Sequence, residues 1–447
     1  MRPGSSHHRL RLIGLLLLTL LSPGLAGAVD GAADETWSWA VFGTVSAARV
    51  NRPDVVFLPY STQPNGAGEA WTAKLDSLLG VQLRHAASAH WSATLQLTSR
   101  RDHENANRPD LEWAYLSYQP SHEFDLRVGR FVAPLFAVSE TRLVGYANLW
   151  VRPPVDVYTL GINRVDGVDL HWRQAWGEGT VKAQLWGGSH RQRMPVGGQA
   201  QILNNREVRY QDMVGLNLLW ERAGVSVRAA HFQARQSFFN ANGSVARSAG
   251  LFGDSDVACL ARGADPREGL RCRDFYDGFE ALEQSYDLDR ARFSFSSLGL
   301  AMDSGSFRLL GEMVWMRNRS RIPDSRAAYL TVARAIGPVT PYITLSAHDA
   351  TTKQFSVPVK PAYAGLVKPV LASYQPSALV GARQRGQALG LRWDMAPGLD
   401  IKAQVDRMQS LGRGNGVAGI GNAGLYRRGS PQGSPVIVFS LALDFAY

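Results

Sequence analysis

The sequence has only 2 cysteines and no apolar run near the length of about 18 residues that a membrane-spanning helix needs. These two absences exclude a small fold held together by disulfides and a helical membrane protein. Charged residues make up only 19% of the chain, whereas hydrophobic residues make up 45%. A disordered polypeptide is therefore excluded as well.

Lysine is also scarce, although the formal net charge is +10. Lysine occurs only at positions 74, 182, 353, 360, 368 and 402, so arginine supplies most of the 48 basic residues. An arginine excess of this kind first suggests a nucleic-acid partner. The order of the residues indicates a different function.

The first 28 residues predict a secretory signal peptide that is removed from the mature protein. Arg2, Arg9 and Arg11 precede or begin a short apolar run over residues 12–21, and Ala26-Gly27-Ala28 supplies the small residues of a cleavage site. An anchor helix is disfavoured because the run is too short to cross a bilayer. We expect an exported mature chain, residues 29–447, that folds as a single domain.

The mature chain alternates apolar and polar residues with the period of a β-strand. In residues 37–47 the odd positions are mostly apolar, and in residues 91–100 Trp91, Ala93, Leu95 and Leu97 oppose polar neighbours. Sixteen such segments occur, over residues 37–47, 74–84, 91–100, 111–119, 125–131, 165–172, 180–188, 212–220, 225–232, 290–303, 307–317, 327–336, 342–349, 387–394, 401–408 and 436–447. Short and long connections alternate between them. This pattern predicts an all-β fold, a transmembrane antiparallel up-and-down β-barrel.

A soluble β-sandwich would show the same alternation of faces, so the last strand helps to decide between the two folds. Apolar residues occupy every second position from Ile437 to Tyr447, and the strand closes with Phe445 and Tyr447. It resembles the C-terminal strand of Gram-negative outer-membrane barrels. The resemblance implies a bacterial outer-membrane location, lipid as a partner, and recognition of this strand by the barrel-assembly machinery.

Aromatic residues near the predicted strand ends fit the girdle that such barrels place at the lipid headgroups. We expect this girdle to include Trp37, Trp39, Trp91, Trp113, Tyr115, Trp172, Trp220, Trp315, Trp393, Phe445 and Tyr447.

Side chains on the opposite strand face should line a water-filled lumen. The predicted pore-lining cations are Lys74, Arg84, Arg100, Arg127, Lys182, Arg228, Arg308, Arg392 and Lys402. The inward acids are fewer, namely Asp76, Asp125, Glu312, Asp394 and Asp406. This excess of cations predicts a mild preference for anions, unless the charges pair across strands and cancel.

The third long connection, residues 131–164, is less polar than an exposed loop should be. The stretch from Leu126 to Arg130 with this connection resembles the porin arrangement in which a loop folds into the lumen, and the run from Trp150 to Tyr158 is similar to porin-like proteins of proteobacteria. We expect a pore constriction formed by Glu140, Arg142, Arg152 and Asp156.

A glycine-rich segment and a pair of cysteines resemble functional motifs. Residues 414–419 match the dinucleotide-binding fingerprint, but the sequence after them does not predict the helix that this motif requires, so we interpret them as a loop. Cys259 and Cys272 are too far apart for a CxxC redox pair and lack a second pair of metal ligands. They predict a disulfide within the long segment 233–289, and no metal site.

The combined prediction is a sixteen-stranded porin that passes small hydrophilic solutes, uses no cofactor and catalyses no reaction. The resemblance implies a possible homotrimer. An outer-membrane barrel would not have nucleic acid as its partner. A channel specific for phosphate, sugars or aromatic acids remains open, because its selectivity would depend on a few lumen residues. A barrel enzyme is less favoured, since no triad emerges from the inward residues.

Overall fold

A computed structural model describes residues 36–195, 205–240, 288–320, 322–351, 383–411, 424–427 and 434–447. Sixteen antiparallel strands form a closed barrel in these ranges, as the sequence predicts. The strands are β1 (Trp37–Val50), β3 (Leu78–Ala86), β4 (Trp91–Arg101), β5 (Asn107–Tyr118), β6 (Phe124–Val132), β7 (Arg164–Trp176), β8 (Gly179–Arg193), β9 (Asn205–Arg222), β10 (Val225–Asn240), β11 (Ala291–Asp303), β12 (Phe307–Asn318), β13 (Asp324–Arg334), β14 (Val339–Thr351), β15 (Arg383–Ala396), β16 (Leu399–Ser410) and β18 (Val436–Ala446).

The barrel closes where β1 pairs with β18, with Thr44 opposite Asp444. Two short strands, β2 (Val55–Leu58) and β17 (Gly424–Arg427), form a separate sheet, which the sequence analysis did not predict. The connections at one end of the barrel are short turns, and most of those at the other end are long loops. The exceptions at the long-loop end are residues 102–106 and 319–323, which are as short as the turns. Long loops of such barrels face the outside of the cell.

The two faces of each strand differ as the alternation predicts. Side chains such as Val81, Leu216 and Leu345 point outward and are exposed, forming an apolar belt. Side chains at the intervening positions point into the lumen, where Gln96, Asn217 and many others are buried. The barrel is therefore apolar outside and largely polar inside, as a lipid-embedded barrel requires.

Two local predictions were wrong. The second barrel strand begins at Leu78, so Lys74 and Asp76 lie in the preceding connection. In β5 the pairing with β4 shifts at Gln96/Leu97. The extra residue of this β-bulge reverses the faces, which turns Trp113 and Tyr115 inward and buries them instead of placing them in the girdle.

The hydrophobic core lies inside the barrel. Inward aromatic side chains, among them Phe232, Phe295 and Tyr329, pack against apolar residues of the connection between β6 and β7. No helix in the described part of the chain is long and apolar enough to span a membrane. The predicted disulfide and residues 414–419 lie outside the described residues.

Candidate functional site in the barrel lumen

Residues 133–163, here called the lumen loop, connect β6 to β7 and fold into the barrel. Apart from a 3₁₀ turn at Gly145–Ala147 the loop has no regular structure. Pro134, Pro153 and Pro154 favour this irregular path because proline lacks the N–H that a strand ladder needs. The backbone N–H of Ala133 donates to the carbonyl of Asn163 at 2.9 Å, which closes the base of the loop.

The first arm of the lumen loop is fixed to β9, β10 and β11. Arg228 on β10 donates to the carbonyls of Pro134 and Leu135, at 2.9 Å for Leu135. Asn217 also donates to the carbonyl of Pro134 at 2.9 Å. Phe136 contacts Phe295 edge-to-face, with ring centroids 5.1 Å apart. Arg228 thus supports the loop backbone instead of facing an open passage.

Glu312 on β12 ties both arms of the lumen loop together. Its carboxylate accepts the backbone N–H of Ala137 at 3.0 Å and the hydroxyl of Tyr158 at 2.9 Å. Burial raises the pKa of the Tyr158 hydroxyl well above its ordinary value, so this group stays protonated and can donate. One carboxylate therefore sets the separation of the two arms.

The middle of the lumen loop is fixed to β13 and β14 by Trp150. Its ring is almost fully buried, and its indole N–H lies 3.1 Å from the Thr331 hydroxyl and 3.2 Å from the Thr344 hydroxyl. Tyr329 contacts the ring edge-to-face, with centroids 5.6 Å apart. A buried indole requires such a hydrogen-bond partner, which the lumen face of a barrel can supply.

Arg152 joins the lumen loop to the first connection, residues 51–77. Its guanidinium donates to the carboxylate of Asp76 through Nε at 3.1 Å and Nη2 at 2.6 Å, and to the Ser440 hydroxyl at 2.9 Å. Burial opposes the charged form of Arg152, but the carboxylate of Asp76 outweighs this effect and raises the pKa of Arg152. The pair is therefore a buried ion pair between two loops.

Asp156 is also buried, and its carboxylate faces the wall. It accepts hydrogen bonds from the Ser346 hydroxyl on β14 and the Gln384 amide on β15. The ring of His348 lies 3.0 Å from the Asp156 carbonyl. Arg152 and Asp156 thus hold the lumen loop in place.

The 3₁₀ turn of the lumen loop lies on the seam where the barrel closes. Lys402 Nζ donates to the carbonyl of Gly145 at 2.7 Å and to the carboxylate of Asp444 at 2.8 Å. Arg392 donates to the carbonyls of Tyr146 and Asn148, at 2.7 and 2.9 Å. The sequence predicts that Arg392 and Lys402 line the pore, whereas in the structure the lumen loop covers both.

Glu140 and Arg142 are the two predicted constriction residues that face a space between the lumen loop and the wall. This pocket is lined by Gln96, Glu112, Trp113, Val132, Ala133, Ser139, Glu140, Arg142, Leu143, Ile162 and Asn163. Arg142 Nη1 donates to Asn163 Oδ1 at 3.2 Å, and its guanidinium lies 5.9 Å from the ring centroids of both Tyr60 and Tyr158. Burial lowers the pKa of Arg142.

The remaining predicted lumen cations mostly pair with acids on the wall. The ion pairs are Arg100 with Glu112 at 3.4 Å, Arg127 with Asp125 at 3.0 Å, Lys182 with Glu221 at 2.6 Å and Arg308 with Asp303 at 2.9 Å. Within the described residues, no salt bridge is formed by the cations Arg84 and Arg142 or by the acid Glu140. Lys74 is exposed in the first connection.

The first connection also folds inward, an arrangement that its sequence pattern does not predict. Tyr60 donates to Asp76 at 3.2 Å, and burial raises the pKa of Tyr60 to about 12. Phe57 lies under the Arg152 guanidinium, 5.0 Å from its ring centroid. The apolar run Val55–Leu58 was the one signal that could have indicated a buried segment.

The described residues contain no group of three or more His, Cys, Asp or Glu side chains that could hold a metal ion. The wall and the two inward loops present charged groups, hydroxyls and aromatic rings to the lumen.

A closed barrel with an apolar outer belt, a polar wall and a loop folded inside defines a transmembrane antiparallel β-barrel. No protein-family model matches the sequence, and no curated protein matches it. Solved structures do match. The anion-selective porin from Comamonas acidovorans is 11% identical, with 92% of this chain and 100% of that chain covered and a TM-score of 0.50. Salmonella typhi OmpF in complex with daunomycin is 10% identical, with 92% and 97% covered and a TM-score of 0.50. The chain has the sixteen-stranded fold of Gram-negative outer-membrane porins, as predicted.

Proposed function

We propose that the protein is a non-enzymatic channel of the bacterial outer membrane through which small hydrophilic solutes diffuse. The observation that carries this proposal is the lumen loop, which is fixed inside a sixteen-stranded barrel and narrows it. The wall that the loop leaves uncovered carries charged side chains, including Arg84, Lys182 and Arg308, the last two of which are 37% and 41% exposed. A polar wall of this kind allows hydrated solutes to pass.

A weak preference for anions is part of the proposal. Most lumen cations pair with a nearby carboxylate. Arg228 forms no salt bridge among the described residues, but loop carbonyls hold it in place. The proposed excess of positive charge in the passage therefore rests on Arg84 and Arg142, and Glu140 offsets it in part. The preference should therefore be smaller than the count of cations in the sequence suggests.

Liposome swelling with neutral solutes of increasing size tests the main function. Uptake that declines with solute size supports a diffusion channel. Uptake that saturates for one chemical class, such as phosphate, sugars or aromatic acids, supports the specific channel instead. That alternative is favoured by Arg142, whose guanidinium lies 5.9 Å from the ring centroids of both Tyr60 and Tyr158, because a guanidinium beside aromatic rings suits a planar anionic solute. The absence of any swelling would contradict both.

Replacement of Arg84 by Gln tests the anion preference. Arg84 has no carboxylate partner among the described residues, so its removal should shift the reversal potential in a salt gradient toward cations. Arg222→Gln removes an arginine whose partner Glu178 lies outside the lumen and should leave the potential unchanged. An equal shift in both variants, or no shift in Arg84→Gln, would contradict the assignment.

The mature protein, in this proposal, is a single barrel domain of residues 29–447 that follows a cleaved signal peptide and assembles as a homotrimer. The assembly machinery would bind the strand that ends at Phe445 and Tyr447. Sequencing of the mature N-terminus tests the cleavage of the signal peptide. The mass of the purified complex tests the homotrimer. The pairing of Cys259 with Cys272 is tested by mass spectrometry with and without reduction.

A further inference from the structure

An excess of arginine lies on the outer face of the barrel at its long-loop end. Arg326 on β13 and Arg383 and Arg385 on β15 surround the single carboxylate of Asp349 on β14. Arg383 Nε is 3.1 Å and Arg385 Nη1 is 3.2 Å from Asp349 Oδ1, and Arg326 Nε is 3.9 Å from Asp349 Oδ2. Among the described residues, three positive charges therefore share one negative charge. We call this group the arginine cluster.

The arginine cluster lies directly above the apolar belt. Leu330 and Leu345 pair across β13 and β14, with 45% and 53% of their surfaces exposed on the outer face. Arg326 and Asp349 occupy the same two strands four residues further toward the long loops. Trp315, an outward ring of the kind found at lipid headgroups, is opposite Arg326. The cluster is therefore at headgroup height.

The short-turn end of the outer face is built differently. Arg222 there forms an ion pair with Glu178, one carboxylate for one guanidinium. Trp39 and Trp176 are exposed at this end, at 69% and 73%. The arginine cluster differs from this pair in its charge balance and not in its exposure: the side chains of Arg326, Arg383 and Arg385 are 74%, 59% and 40% exposed, and that of Arg222 is 51% exposed. Its guanidinium groups can accept a further anion.

We propose that the arginine cluster binds the phosphorylated head group of a membrane lipid whose acyl chains lie along the belt. A guanidinium presents paired N–H donors that match phosphate oxygens. Asp349 orients the three groups but cannot neutralise them. The adjoining exposed leucines favour a lipid as the source of the phosphate, because a lipid can occupy both surfaces at once.

Native mass spectrometry of the folded full-length protein in detergent tests the proposal. The probes are diphosphoryl lipid A, phosphatidylcholine and inorganic phosphate. The variants are Arg326→Gln, Arg383→Gln and Arg385→Gln, singly and together, with Arg222→Gln as the matched control from the other rim. We expect diphosphoryl lipid A to bind more tightly than phosphatidylcholine. The triple variant should lose about tenfold in affinity, the single variants less, and Arg222→Gln nothing.

Several outcomes would overturn the proposal: equal affinity for both lipids, an unchanged triple variant, or an equal loss in Arg222→Gln. Inorganic phosphate that binds as tightly as the lipid would show a site for free anions, and a complex that forms only between two copies of the chain would show a protein interface. The single variants keep the test decisive if the triple variant does not fold. Folding of each variant is checked by its heat-dependent migration in electrophoresis.

Discussion

At the scale of single residues, the lumen charges act mainly as structural anchors. On the wall, Glu312, Arg392 and Lys402 each contact the lumen loop. Arg152, on the loop itself, contacts Asp76 of the first connection, and all four side chains are buried. A buried charge is stabilising only when it is paired and hydrogen-bonded, and its partners here come from both the loop and the wall. Removal of one anchor should therefore affect the stability of the barrel and the width of the pore together.

Glu312→Ala should enlarge the channel. The change leaves the Ala137 N–H and the Tyr158 hydroxyl without their acceptor, which costs about 1–3 kcal/mol for each buried group. The two arms of the lumen loop should then move away from β12. We expect a larger single-channel conductance and a lower unfolding temperature, whereas Glu221→Gln, near the short turns, should change neither. A conductance equal to that of the wild type would show that the loop stays docked without Glu312.

The Arg152–Asp76 pair should show strong coupling in a double-mutant cycle. Arg152→Met leaves the Asp76 carboxylate buried without its cation and should destabilise the protein by about 3–5 kcal/mol. Asp76→Leu should have a similar effect. The double variant should lose less than the sum of the two, because neither member of the pair is left without the other, although Asp406, 3.9 Å from Arg152, still loses its cation. Urea unfolding of the barrel in detergent measures the cycle, and additive losses would contradict a direct interaction.

Residue type and parity were sufficient to place Arg84, Arg127 and Arg392 on the inner face. They could not reveal which inward charges the lumen loop covers, because that depends on contacts between residues far apart in the chain, such as Lys402 and Gly145, which are 257 positions apart. The tertiary structure thus determines which of the predicted pore-lining cations bind the lumen loop. Alternation within one strand carries no information about it.

At the scale of elements, the strands were predictable and the connections were not. Period-two alternation fixes a strand because each inward residue has two outward neighbours. It fails at irregularities, as in β5, where one bulge residue turned Trp113 and Tyr115 inward. The inward fold of the lumen loop was indicated by its low polarity. The inward fold of the first connection was missed because only Val55–Leu58 signalled it.

Gly145→Ala should displace the 3₁₀ turn from the seam. A Cβ at this position would collide with the side chains of Asp444 and Thr44, and overpacking of this kind costs about 1–3 kcal/mol. Gly68→Ala is the matched control, because a Cβ there meets no atom within 4 Å. We expect a lower unfolding temperature and altered conductance for Gly145→Ala alone. Identical behaviour of the two variants would place the turn away from the seam.

At the scale of the whole molecule, docking of the lumen loop and closure of the barrel depend on each other. The 3₁₀ turn contacts β15, β16 and β18, which are the last barrel strands of the chain. It also lies against Thr44 on β1, the first strand. The loop therefore cannot reach its final position until the two ends of the sheet have paired. Once docked, the Gly145 carbonyl accepts from Lys402, which also pairs with Asp444. Asp444 in turn accepts the Thr44 hydroxyl across the seam, so the loop and the seam share one hydrogen-bond network.

Lys402→Met should reveal this coupling. The substitution removes the cation shared by the Gly145 carbonyl and the Asp444 carboxylate, so the loop loses a contact and the seam retains a buried acid. Because both effects have one cause, the conductance should rise and the temperature of heat-dependent unfolding should fall in the same variant. Lys182→Met is the control, since Lys182 is partly exposed and pairs with Glu221 on the wall. A fall in stability with unchanged conductance would mean that the loop docks independently of the seam, and that the barrel closes first and alone.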